Sequence, residues 1–265
     1  MIIVKSQQEI GMMAVGGKIL AEVLDKLAKE VRPGITTLEL NQIAEELILE
    51  KGAAPAFRGY QGFPAALCTS INEDVVHGVP SDRKLIEGDI VGLDLGVIYP
   101  SESCFSCPFS KESCGGQPGL FTDAAITVAV GQVNEEAEKL IKAAKRALYV
   151  GLGEIKAGAF LGDIGYAIQK YAESEGFSVI RDLVGHGVGK EIHEDPEIPN
   201  YGQRHTGVRL QEGMTLAIEP MLAAGRPAIK KGDDGFAYRT TDRSLASHFE
   251  HTVAVTKRGH KVLTE

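Results

Sequence analysis

The sequence predicts an α/β chain of the α+β kind, built from two halves related by a pseudo-two-fold axis whose strands meet in one sheet. Three observations predict it. Residues 34–52 can be laid on residues 158–176 at an offset of 124. Residues 85–94 can be laid on residues 210–219 at an offset of 125. A further apolar run opens on a carboxylate in each half, Asp123 before Ala124 and Glu250 before His251. Repetition of a whole helix–turn–strand unit at a near-constant offset points to duplication.

Taken in chain order, Ser6-x-x-Glu9 is a capping box, and Met12, Met13, Val15, Ile19, Leu20, Val23, Leu24 and Leu27 follow it at helical spacing. The first copy of the shorter helix comes next, with Arg32 before Gly34, Glu39-Leu40 inside and Gly52 at its end. The second copy has Lys156, Gly158, Asp163-Ile164 and Gly176, and a longer helix starting near Asn134 precedes it. Glycine ends each copy because it tolerates the left-handed turn at a helix C-terminus. Glu87-Gly88 and Glu212-Gly213 are turns, each followed by an apolar, β-prone run that finishes on a carboxylate, Asp94 or Glu219. His77-Gly78-Val79 and His186-Gly187-Val188 make a looser pair at an offset of 109.

Composition narrows the function classes. The chain has 265 residues, 43% of them hydrophobic, enough for a sizeable core in one domain spanning 1–265. Its 28 basic and 36 acidic side chains leave a formal charge of −8, which argues against nucleic acid as the main ligand. No apolar run reaches the ~18–20 residues of a membrane span. The first residues lack the pattern of a signal peptide, and four cysteines make no disulfide framework, so the cytoplasm is the expected compartment.

Carboxylates at the ends of apolar strands cannot be buried alone; they must be paired, protonated or bound to a cation. If the halves face each other, Asp94, Asp123, Glu219 and Glu250 converge near the axis, with no Lys or Arg beside them in these strands. Four carboxylates with one imidazole suit two divalent ions of the Mn, Fe, Co or Zn type. Single histidines are more often structural than functional, and His205, His248 and His260 are read that way. His251 follows Glu250 in a strand and should point to the opposite face.

Several motifs resemble those of the type I methionine aminopeptidases, which have the pita-bread fold. They are Gly185-His186-Gly187-Val188-Gly189, Ile192-His193-Glu194-Asp195-Pro196, Ile218-Glu219-Pro220 and Phe249-Glu250-His251-Thr252. Cys68 to Glu73, Val76 to Pro80 and Gly88 to Val91 with Asp94 belong to the same set. The resemblance implies an antiparallel sheet covered by helices and a metal-activated water that hydrolyses the N-terminal methionine of nascent chains when the second residue is small. It implies Asp94, Asp123, His186, Glu219 and Glu250 as ligands of two divalent metal ions (Co, Mn, Fe or Zn). Asp123 and Glu250 would bridge the two ions. Glu219, His193 and His77 follow as catalytic residues: Glu219 moving a proton from the water, His193 donating to the oxyanion, and His77 contacting the substrate backbone. The methionine pocket it implies comprises Phe57, Tyr60, Phe63, Cys68, Ile192 and Phe236.

One segment departs from the family pattern. Asp94 and Asp123, normally joined by a short hairpin, are separated here by an insertion at residues 98–120 carrying Cys104, Cys107 and Cys114. Three thiols make a second metal or redox site only with a further ligand or a disulfide, and a surface loop with reduced thiols is the plainer reading. The alternatives are a Xaa-Pro dipeptidase, disfavoured by the type I motifs, and a non-catalytic peptide- or ribosome-binding relative, disfavoured by five metal-competent side chains. The expected protein is a monomer acting on N-terminal Met peptides, with the ribosome as an optional partner and neither nucleic acid nor membrane as a direct one.

Overall fold

Helix α1 (Gln7–Glu30) begins as its sequence implies: the Ser6 hydroxyl accepts from the Glu9 N–H at 3.2 Å, and the Glu9 carboxylate accepts from the Ser6 N–H at 2.7 Å. The computed structural model describes residues 2–101 and 119–265. After α1 come α2 (Thr37–Glu50), β1 (Ala54–Pro55), a 3-10 turn at Tyr60–Gly62, β2 (Leu67–Ile71), β3 (Asp74–Val76), β4 (Ile90–Tyr99) and β5 (Leu120–Ala129). The second half contains α3 (Glu135–Leu152), α4 (Leu161–Ser174), β6 (Ser178–Val179), β7 (Val184–Gly187), β8 (Glu194–Pro199) and β9 (Thr215–Ile218). It continues with β10 (Met221–Ala223), β11 (Ile229–Lys231), β12 (Tyr238–Thr240), β13 (Ala246–His248), β14 (Glu250–Val255) and β15 (His260–Val262).

The duplication is written into the hydrogen bonds. Helices α2 and α4 have 14 residues each and start 124 positions apart. Glu39 and Asp163 play one role, each carboxylate accepting from the N–H of the residue before its helix, Thr36 at 2.7 Å and Phe160 at 3.0 Å. Gly34 N–H donates to Leu85 O at 2.8 Å, as Gly158 N–H does to Leu210 O at 2.9 Å. Gly88 and Gly213 turn at φ 92° and 90°, a region that favours glycine, and donate to Val130 O and Val255 O at 3.0 Å each.

The halves join in a nine-stranded sheet of order β1-β4-β5-β14-β9-β7-β8, with β2 also pairing with β4 and β15 with β14. All its pairings are antiparallel, and the seam is β5–β14, where Glu250 pairs with Ala125 and His251 with Ala124. Strand alternation separates two environments. Val91, Leu93, Leu95 and Val97 of β4 pack in one core with Leu20, Leu24 and Leu27 of α1 and Leu40 and Ile48 of α2. Leu216, Ile218 and Val253 pack in another with Leu140 and Leu148 of α3 and Ile164 and Ile168 of α4. The intervening residues of the same strands form the opposite face of the sheet.

Three details differ from the sequence reading. Asp94 lies within β4, which runs on to Tyr99, and Asp123 lies three residues inside β5; neither marks a strand end. The cause is the long β4–β5 hairpin, paired from Ile90↔Ala129 to Tyr99↔Leu120, whose ladder passes the carboxylates without interruption. In the second half the equivalent strand, β9, ends at Ile218, and Glu219 with Pro220, which has no N–H for the ladder, separates it from β10. The insertion is bounded accordingly: Ile98 and Phe121 are paired strand residues, so the excursion leaves after Tyr99 and returns at Leu120. Cys104, Cys107 and Cys114 lie outside the described residues.

The third difference concerns the His-Gly-Val pair. His186 is paired with Ala217, and Ser70 is paired with Gly92; Gly92 and Ala217 correspond at the offset of 125. His186 therefore takes the place of Ser70, not of His77, which follows β3.

Candidate metal centre

Register brings the five expected ligands to one face. Asp94 pairs with Ala125, as does Glu250 across the seam, and Asp123 pairs with Gly96, two residues from Asp94. Cross-strand partners share a face, so Asp94, Asp123 and Glu250 project together. His186 pairs with Ala217, two residues before Glu219, so the second half adds its imidazole and carboxylate to the same face. Asp123, His186 and Glu250 each offer a ligand atom within 4.8 Å of the other two. His186 Nε2 stands 3.7 Å from Asp123 Oδ2 and 3.5 Å from Glu219 Oε1.

The electrostatics suit cations. Among the described residues, no Lys or Arg pairs with any of the four carboxylates. Burial and then neighbouring carboxylates push Asp94, Glu219 and Glu250 well above the usual carboxylate range, and burial raises Asp123 to about 6. Among the described residues, Glu250 Oε1 is buried with no hydrogen-bond partner, an orphaned oxygen of the kind a bound cation would satisfy. His186 Nδ1 faces Gly187 O at 2.8 Å, and because a carbonyl only accepts, Nδ1 carries the proton and Nε2 presents its lone pair to the carboxylates. Burial lowers His186 to about 4 and keeps it neutral at pH 7, the form that binds metal. Asp123 is held by Thr252, whose hydroxyl donates to Asp123 O at 2.8 Å and accepts from Asp123 N–H at 3.1 Å.

Beside this group lies a cavity lined by Phe57, Tyr60, Phe63, Cys68, His77, His193 and Phe236 together with the carboxylates and His186. Phe63 and Phe236 meet edge to face at 5.5 Å, and Phe57 lies against Gly96, where a side-chain carbon would stand 2.6 Å from its ring. His193 Nδ1 is 2.8 Å from the Tyr60 hydroxyl, and its ring meets that of His186 at 4.4 Å. His77 turns in at φ 60°, next to Gly78, which is pressed against Thr69 O so closely that a Cβ would stand 2.1 Å away. Desolvation in the cleft and neighbouring imidazoles lower His77 and His193 to about 4.

The profile of metallopeptidase family M24 matches residues 11–107 and 112–257. The chain belongs to metallopeptidase family M24. A relative named methionine aminopeptidase, from Clostridium perfringens, is 46% identical over 264 residues, covering 100% of this chain and 99% of that protein. The crystal structure of methionine aminopeptidase from Rickettsia prowazekii superposes with a TM-score of 0.91 at 39% identity, covering 100% of both chains. The prolidase from Pyrococcus horikoshii, at 24% identity and a TM-score of 0.75, shares the fold, but this chain covers only 63% of it. The fold is thus the duplicated pita-bread arrangement implied by the sequence motifs.

This M24 chain differs from the expected site at a few positions. Ile192 is buried but is absent from the cavity lining, to which its neighbour His193 contributes. Gln61, Lys231 and Gly235 line the cavity without having been anticipated, and no local pattern marks them. His248, read as a structural residue, is buried with Nε2 3.5 Å from Glu219 Oε2. Its position two before Glu250 was the available signal, since alternate residues of extended chain share a face. His251 does point to the opposite face, where its Nε2 lies 3.3 Å from the Tyr149 hydroxyl of α3.

Proposed function

We propose that this metallopeptidase removes the N-terminal methionine from nascent chains whose second residue is small. The observation that carries the reading is the meeting of Asp94, Asp123, His186, Glu219 and Glu250 on one sheet face beside an apolar cavity. The names of its full-length relatives support the choice of methionine. The five side chains would hold two divalent ions (Co, Mn, Fe or Zn). Bound there, such ions supply a nucleophilic water at neutral pH and polarise the scissile carbonyl.

The chain's own groups do the rest. Phe57, Phe63, Cys68 and Phe236 take the methionine side chain out of water, with Tyr60 at the rim. His193 donates from Nε2 to the oxygen where negative charge develops. Glu219 accepts a proton from the attacking water and passes it to the leaving amine. His77 holds the peptide backbone next to the scissile bond. No described helix is long and apolar enough to cross a membrane. The proposed setting is the cytoplasm, with a monomer acting on chains at the ribosome.

The test is methionine release from Met-Gly- and Met-Leu-headed peptides by metal-depleted protein, with Mn, Co, Fe and Zn restored one at a time. Release from Met-Gly only, restored by metal and abolished in Asp94→Ala, is the expected result. Folded protein that releases nothing with any of the four metals would overturn the reading.

A further inference from the structure

We propose that Lys5 is a positioning residue for His193, acting through Glu194; this rests on the reading of His193 as the oxyanion donor. The Lys5 ammonium and the Glu194 carboxylate form an ion pair whose side chains are 1% and 3% exposed. Withdrawing two charges from water is expensive, so such a pair demands good geometry and further hydrogen bonds on each partner. Both conditions are met. Lys5 Nζ also donates to Ile3 O at 3.2 Å. The second Glu194 oxygen accepts from the N–H groups of Lys190 at 2.6 Å and Glu191 at 3.1 Å. One carboxylate therefore closes the turn at 190–194 and ties it to the segment ahead of α1.

That segment is itself fixed. Lys5 N–H donates to Gly213 O at 2.8 Å, and Val4 bridges to Met214. Gly189 packs on the lysine stem, where a Cβ would stand 2.4 Å from Lys5 Cε, and its φ of 147° favours glycine. Gly189 O accepts from Phe121 N–H at 2.7 Å, two residues before Asp123. The backbone that carries His193 is thus held between β5 and the N-terminal arm, and the charge pair is the bond next to the imidazole. None of the proposed metal ligands belongs to this pair, so its loss should move the imidazole and leave the ions in place.

The experiment is a double-mutant cycle between Lys5→Met and His193→Ala, with Mn affinity measured by calorimetry and folding by circular dichroism. On a Met-Gly peptide, Lys5→Met should lower kcat about tenfold or more, with KM and Mn affinity changed by less than about twofold. Lys5→Arg should recover most of the loss. The Lys5→Met/His193→Ala double variant should be no slower than His193→Ala alone, because the lysine acts only through the histidine. Additive losses, a parallel fall in Mn affinity, or an unchanged kcat would each overturn the proposal. If Lys5→Met does not fold, Gly189→Ala and Glu194→Gln enter the same cycle and are judged by the same criteria. A His193→Ala variant with full kcat would reject the oxyanion reading itself, and a kcat loss in Lys5→Met beside it would then be independent of His193 and overturn the proposal separately.

Discussion

Which of the Tyr60 hydroxyl and His193 Nδ1 donates across their 2.8 Å contact decides what His193 can do. If the phenol donates, the imidazole proton sits on Nε2 and is free for an oxyanion; in the other tautomer it is spent on the phenol. Loss of a single oxyanion donor costs on the order of 10²–10³ in kcat. His193→Ala should fall in that range in steady-state assays, and Tyr60→Phe should show a smaller loss with Mn affinity unchanged. A Tyr60→Phe enzyme as fast as its parent would leave the tyrosine a pocket wall only. At this scale the motifs were readable because they are local: Gly-His-Gly and Ile-Glu-Pro each carry a ligand on a few contiguous residues. His248 was readable only in part: its place two before Glu250 marks the shared face, but its contact with Glu219, 29 positions away, comes from the pairing of Met221 with His248.

The elements show why some positions are less tolerant than their exposure suggests. In α1, Gly17 meets the returning chain, and a Cβ there would stand 2.1 Å from Leu263 O and 2.7 Å from its carbon. Backbone cannot be displaced as a side-chain tip can, so Gly17→Ala should cost about 1–3 kcal/mol or more, despite the better helix propensity of alanine. Thr36 caps α2 through its hydroxyl, which accepts from Glu39 N–H at 3.1 Å. Thr36→Ala should cost about 1 kcal/mol. Denaturant midpoints for both variants test the pair; a stabilised Gly17→Ala would show that the helix can move away from the C-terminal strand. Helix ends were legible because caps and glycines act within a few residues. The strand ends were not, because a β-ladder stops where its partner stops: β4 and β5 extend each other past Asp94 and Asp123.

Across the whole molecule, the site sets a dependence of stability on pH. The carboxyls of Asp94, Asp123, Glu219 and Glu250 keep their protons in the folded, metal-free chain at pH values where the unfolded chain has lost them. Their contribution is therefore complete below about pH 4 and is lost as pH rises through the folded values. The buried imidazoles of His186 and His248, lowered to about 4 and about 3, act in the opposite sense. Theirs is gained as pH rises and is complete above about pH 6.5. Once the imidazole gain is complete, a further rise through the folded carboxylate values should lower the Tm of chelator-treated protein, and the buried Cys68 thiol, raised by burial, acts in the same direction. Added Mn should raise Tm and flatten that decline, because an ion that binds only the folded state compensates the same charges. Equal slopes with and without Mn would mean that the carboxylates are not where the metal binds.

By itself the sequence determined the duplication, the helix caps, the pita-bread family and the five metal-competent side chains. Each of these is recorded in residue type at fixed local spacing. Only the tertiary structure decided that His186 stands in the register of Ser70, that His248 reaches Glu219, that His193 and not Ile192 lines the cavity, and that Lys5 lies buried against Glu194. These are pairings between distant segments, fixed by strand register and by the burial of charge, and no short stretch of chain encodes them.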